Sequence, residues 1–106
     1  MNKTIILIPS RMSASRLPGK PLLKINGTSI IQHVYNKAKK TNLGKVYVAT
    51  EDTEIQNEIE KNGGNSIMTS KNHQTGTDRI FEAIEKIKGI ENTKYVINLQ
   101  GDEPQI

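Results

Sequence analysis

What most constrains the fold of this chain is a regular exchange between two hydrophobic periods. Short apolar runs with strand character, about Thr4 to Pro9, Lys45 to Thr50, Ser66 to Thr69 and Tyr95 to Leu99, alternate with segments whose apolar residues recur every three or four positions. The first such segment is predicted to start near Ser29, with Gln32 three residues on as a capping-box partner. Its apolar face is Ile30, Ile31, Val34, Tyr35 and Ala38, and Lys37, Lys39 and Lys40 suit the negative end of its dipole. The second helix covers about Thr53 to Lys61, with Ile55 and Ile59 four apart, and Gly63-Gly64 ends it. The third runs from about Thr77 to Lys88 and is expected to bury Ile80, Phe81, Ile84 and Ile87. Ahead of the first helix, Pro21 to Ile25 reads as extended and Asn26-Gly27 as a turn. Strands that alternate with helices pair in parallel through right-handed crossovers. The expected fold is therefore α/β, a Rossmann-like, open, mostly parallel sheet flanked by helices.

In such sheets ligands sit beyond the carboxyl ends of the strands, so the segments that follow strands carry the functional reading. Between Ile8 and Leu22 the chain packs two arginines, a lysine, three serines, a glycine and three prolines into one loop. Arg11, Arg16 and Lys20 are placed to converge on triphosphate oxygens, the arginines through paired planar hydrogen bonds and the lysine as a point charge. Gly19 permits close backbone approach, while Pro18 and Pro21 stiffen the loop. The loop is not a Walker A motif, which needs glycine at position 14 and Ser or Thr at position 21, where this chain has Ala14 and Pro21. An ordinary exposed basic loop is the simpler reading, and the position directly after the first strand argues against it.

Two further segments follow strands. In Gln100-Gly101-Asp102-Glu103-Pro104, Asp102 can hold Mg²⁺ against phosphates, since magnesium takes one or two carboxylates plus phosphate oxygens and water. The alternative is a turn in which Asp102 bonds its own backbone. In His73-Gln74-Thr75-Gly76-Thr77-Asp78-Arg79, Thr75 and Asp78 fit a capping box. The same helix start, at Thr75 and Gly76, is also suited to face a nucleotide. Gln74 and Arg79 would then read base or ribose. His73 and His33 are expected in loop-fixing or surface roles. Thr50-Glu51-Asp52 reads as a helix start, with contact to ribose or sugar left open by its place at a strand end.

The 106 residues suit one small domain, with 34% hydrophobic and 4% aromatic content leaving little to spare for a core. A net charge of +4 points to acidic partners such as nucleotides, sugar acids or nucleic acid, although most of that charge is dispersed. The absence of cysteine removes disulfides, thiolate metal sites and cysteine nucleophiles, and fits a cytoplasmic location. The first apolar run is too short for a signal peptide, and no stretch approaches the roughly 18 apolar residues of a membrane span.

Taken together, Pro9-Ser10-Arg11 with Ser15-Arg16-Leu17-Pro18-Gly19-Lys20-Pro21-Leu22, then Val48-Ala49-Thr50, then the 73–79 run and Gln100-Gly101-Asp102-Glu103-Pro104 resemble the 3-deoxy-manno-octulosonate cytidylyltransferases, in the family's order and over nearly the whole chain. Ser10 stands where alanine is more usual, and Asp78 where glutamate is also typical. The resemblance implies a fold of the nucleotide-diphospho-sugar transferase type. It also implies an enzyme that couples CTP to 3-deoxy-D-manno-octulosonate (Kdo), giving CMP-Kdo and pyrophosphate for lipopolysaccharide synthesis, with Mg²⁺ as cofactor. Arg11, Lys20 and Asp102 would be catalytic, with Asp102 on the metal. CTP would be held by Pro9, Ser10, Arg11, Arg16, Lys20, Gln74, Thr75, Gly76, Arg79 and Gln100.

Family members are roughly twice this long. The resemblance therefore implies that residues 1–106 are the nucleotide-binding part of a cytidylyltransferase domain. The sugar-binding and dimerisation part, with a second metal-binding aspartate, is missing, and the sheet is incomplete with an exposed parallel edge. Such a piece is expected to be weak or inactive by itself, and the whole family form to be a homodimer. Other readings are a cytidylyltransferase for 8-amino-Kdo or an acylneuraminate, and a non-catalytic nucleotide-binding module. Neither a nucleic-acid nor a membrane partner is expected.

Overall fold

The first apolar run forms β1 (Thr4–Ser10), buried at every position after Thr4. A computed structural model of the chain describes residues 4–12, 20–69, 76–87 and 95–98. A short 3₁₀ turn (Lys20–Leu22) leads into a hairpin of β2 (Lys24–Ile25) and β3 (Thr28–Ser29). Then come α1 (Ile30–Lys40), β4 (Lys45–Thr50), α2 (Thr53–Lys61), β5 (Ser66–Met68), α3 (Gly76–Lys86) and β6 (Tyr95–Asn98). The main sheet has the order β5-β4-β1-β6, and all its pairings are parallel. The winding thus runs outward from β1 through β4 to β5, then returns past β1 to place β6 on its other side. That reversal puts the topological switch point between β1 and β6, where open α/β sheets bind their ligands.

Strand periodicity sorts the core onto two faces. Ile6 and Ile8 of β1, with Val46 and Val48 of β4, pack under α1 and α2 against Ile31, Val34, Tyr35, Ala38, Ile55 and Ile59. Ile5, Leu7 and Ala49 point the other way and meet Ile80 and Ala83 of α3 and Ile87 just after it. Each fully buried isoleucine contributes about 1.5–3 kcal/mol relative to exposure. The Phe81 side chain lies outside the described residues, and Ile84 is partly buried against the α3 cluster. Among the described residues, no helix is long and apolar enough to cross a membrane.

The helix and strand expectations hold within a residue or two at their ends, with one substantive difference. Pro21 to Ile25 is not continuous extended chain. Pro21, whose fixed φ suits a helical turn, sits buried in the 3₁₀ turn, and only Lys24 and Ile25 pair as strand. The hairpin turns on Asn26 (φ 54°) and Gly27 (φ 82°), the positive-φ pair that a two-residue loop of the I′ type requires. The Ser29 hydroxyl accepts from the Gln32 N–H at 3.2 Å and caps α1, but the reciprocal half of the capping box is absent. The Gln32 side chain instead donates to Asn36 Oδ1 at 2.8 Å. His33 donates through Nε2 to the Ile25 carbonyl at 2.8 Å and so ties the hairpin to α1. α2 ends as predicted, with Gly63 at φ 82° and the Gly64 N–H returning to the Ile59 carbonyl. A Cβ on Gly64 would lie 2.7 Å from Ile59 Cγ2, so the close turn needs glycine there. Leu99 lies outside the described residues, and β6 ends at Asn98.

Glu58 of α2 is hydrogen-bonded by the Ser29 side chain, and Lys61 adds an ion pair at 3.1 Å. The Ser29 bond is the largest influence holding the Glu58 carboxyl below its ordinary 4.5, against the opposing effect of burial. A carboxylate whose pKa is depressed by folding stabilises the native state above its unfolded value and loses that contribution as pH falls through the folded value. Glu58→Gln is therefore expected to be less stable than the parent above about pH 4.5 and to converge on it at lower pH. Urea unfolding of both proteins across pH 3–7 measures this.

Candidate active site

The carboxyl end of β1 lies beside that of β4, with Pro9 opposite Ala49 and Ser10 opposite Thr50. Ser10 is 7% exposed, and its hydroxyl oxygen has no hydrogen-bond partner among the described residues. A buried polar atom left in this way is a cost to folding that a bound ligand can offset. Arg11 follows, half-buried, as the chain leaves the sheet. Met12 and Leu22 both pack on the apolar cluster under α1 and α2. The cationic loop is therefore fastened to the same core at both ends. Lys20 contributes its backbone to the 3₁₀ turn, and its side chain lies outside the described residues.

The end of β4 carries most of the polar bonding at this edge. Asp52 stands at the N-cap of α2 with no side-chain bond to that helix. Its Oδ2 instead accepts from the Met12 N–H at 2.8 Å, across forty positions of sequence. The Asp52 N–H donates to Thr50 Oγ1 at 3.1 Å, and the Thr50 carbonyl accepts from the Thr69 N–H at 2.8 Å. Glu51 pairs with Arg79 Nη2 at 2.5 Å, and Arg79 Nε donates to Thr69 Oγ1 at 3.0 Å. Arg79 is only 2% exposed, so its guanidinium is held inside the protein. Burial pushes its pKa below the ordinary guanidinium range, the Glu51 carboxylate opposes that, and the charge of Arg11 adds to the lowering. The charge of Arg11 is thus felt at Arg79, together with the carboxylates of Glu51, Asp52 and Glu82.

The structure thus brings Pro9, Ser10, Arg11 and Arg79 to one edge of the sheet, with Gly76 at the first position of α3. Arg16, Gln74, Thr75, Gln100 and Asp102 lie outside the described residues, as does His73. β6 runs parallel to β1, so the two strands point to the same edge of the sheet. The described carboxylates at this edge are already engaged by protein groups. Glu51 is committed to Arg79 and Asp52 to the Met12 N–H, and no group of three metal-ligating side chains occurs among the described residues. Sequence reasoning left Thr50-Glu51-Asp52 between a helix start and a sugar contact and missed its bonds to two other segments. A capping residue and a strand-end carboxylate give no local sign of partners forty and twenty-eight positions away.

Residues 5–106 match a family described as cytidylyltransferase. The chain is 52% identical, over 97% of its length, to 3-deoxy-manno-octulosonate cytidylyltransferase of Afipia carboxidovorans. It is likewise 52% identical, over its whole length, to 8-amino-3,8-dideoxy-manno-octulosonate cytidylyltransferase of Shewanella pealeana. It covers 42% and 43% of those two proteins. Among solved structures, that of CMP:2-keto-3-deoxy-manno-octonic acid synthetase complexed with CTP superposes with a TM-score of 0.88 at 45% identity, covering 99% of this chain and 42% of that one.

Thr69→Val keeps the side-chain shape and removes the acceptor for Arg79 Nε. A buried charged donor left without its partner should lower stability by about 1–3 kcal/mol, read as a drop in the urea midpoint.

Proposed function

The chain belongs to the cytidylyltransferase family, and from that membership we propose that it is the nucleotide-holding part of an enzyme joining CTP to Kdo. In this reaction the anomeric hydroxyl oxygen of the sugar acid forms a bond to the α-phosphorus of CTP. The bond between the α- and β-phosphates breaks, pyrophosphate departs, and the hydroxyl proton passes to solvent. Such a transfer asks the protein for alignment and charge neutralisation. Arg11, Arg16 and Lys20 would neutralise the triphosphate and the departing pyrophosphate. Gln74, Thr75, Gly76 and Gln100 would contact ribose and cytosine, together with the backbone of Pro9 and Ser10. Asp102 would hold Mg²⁺, which supplies charge neutralisation and orientation of phosphates. The sugar-binding and dimer-forming parts would come from the remainder of a longer protein. The cytoplasm, where a chain without cysteine is at home, is its proposed compartment.

The observation that carries this reading is the strand order. It sets β1 and β6, the strands that precede the cationic loop and the Asp102 segment in sequence, on the two sides of one switch point. The buried Ser10 hydroxyl, without a hydrogen-bond partner among the described residues, adds support. The 8-amino sugar acid is a second reading, favoured by the identity to the Shewanella pealeana enzyme. Turnover with each sugar acid in competition distinguishes the two.

Titration calorimetry tests the nucleotide assignment. CTP is expected to bind in the presence of Mg²⁺, and Lys20→Ala and Asp102→Ala are each expected to weaken it tenfold or more (about 1.4 kcal/mol). RNA binding with a steep salt dependence and no preference for CTP would overturn the assignment. Pyrophosphate release from CTP and Kdo should be weak or absent with the 106 residues alone.

A further inference from the structure

Three consecutive residues at the end of β4 reach three different parts of the site edge. Thr50 accepts the Asp52 N–H through its side chain and the Thr69 N–H through its carbonyl. Glu51 grips Arg79, in the second turn of α3. Asp52 grips the backbone of Met12, at the start of the cationic loop. Neither carboxylate serves its own helix: Asp52 makes no capping bond to α2, although it occupies the position where such a bond is ordinarily made. Both reach sideways along the sheet edge, one toward β1 and the other toward α3.

We propose that Asp52 and Glu51 are positioning residues for the nucleotide: Asp52 sets the cationic loop through the Met12 N–H, and Glu51 sets the start of α3 through Arg79. The proposal rests on the nucleotide reading above and adds a division of labour to it. The loop after β1 carries the cations suited to the triphosphate, whereas the start of α3 carries the groups suited to base and ribose. Each side chain of the pair therefore governs a different part of one ligand. The rigid element between them is a buried strand end, with Thr50 wholly inaccessible to solvent. A carboxylate that holds a backbone N–H fixes the start of the loop through the main chain, and leaves the loop's own side chains available to a ligand. Arg79 is then a buried anchor whose effect on the nucleotide runs through α3.

The test compares CTP with CMP by calorimetry on the full-length protein, in the parent and in Asp52→Ala, Asp52→Asn and Glu51→Ala. Asn retains an oxygen that can accept the Met12 N–H, and Ala has none. Asp52→Ala is expected to weaken CTP about tenfold while CMP changes by less than about twofold, and Asp52→Asn is expected to restore most of the loss. Glu51→Ala is expected to weaken CTP and CMP alike. Amide exchange at Met12 gives an independent reading: its protection should fall in Asp52→Ala and persist in Asp52→Asn, whether or not nucleotide is present. Equal losses for both nucleotides in Asp52→Ala, failure of Asn to rescue, or unchanged binding in all variants would overturn the positioning roles alone. A parent protein that binds neither nucleotide would overturn the nucleotide reading and this proposal with it.

Discussion

β1 is the strand on which the rest of the structure depends. It is paired on both sides, to β4 and β6, and covered on both faces, so its backbone and its side chains are removed from water together. Removal of this kind is possible only when each polar backbone group finds a ladder partner and each face finds an apolar neighbour. The alternation Ile5, Leu7 against Ile6, Ile8 supplies the faces, and the parallel registers supply the ladder. Once β1 is fixed, the position and direction of its carboxyl end are fixed as well. Every candidate site residue before α1 is measured from that end.

Charge at the sheet edge is handled by separating two tasks. Arg79 is buried, and a buried guanidinium needs hydrogen bonds to hold its charge, which Glu51 and Thr69 provide. Arg11 is half-buried and follows the strand directly, so its charge is felt at the edge itself. One arginine belongs to the framework and the other to the surface the framework presents. The two are similar in sequence character, each following or opening an element beside a possible phosphate site, and their burial tells them apart.

Much of the fold was legible because period and burial coincide here. Ile30, Ile31, Val34, Tyr35 and Ala38 were legible as one face of a helix, and all are buried. The Asn26-Gly27 turn was legible because its dipeptide has few other uses. Pro21 to Ile25 reads as extended in the sequence because a short apolar run next to proline carries no period; in the structure its first part is a 3₁₀ turn whose Leu22 packs on the core. The capping box at Ser29 was half legible: the hydroxyl bond is local, whereas the Gln32 side chain answers to Asn36 one turn further on. At the site, residue types that suit phosphate could be read from Arg11 and Lys20. The bonds of Glu51 and Asp52 could not, since they join residues brought together only by the crossovers.

Ser10 has a consequence for how this edge can change over time. Its hydroxyl oxygen is enclosed and makes no bond among the described residues, so the described fold gains nothing from it. Alanine at the same place would leave the backbone pairing with Thr50 intact and release the protein from burying an unsatisfied oxygen. Serine in place of the family's more usual alanine therefore leaves one enclosed oxygen at the mouth of the crevice, a polar point that the described fold carries at a cost and that an alanine-bearing relative would lack.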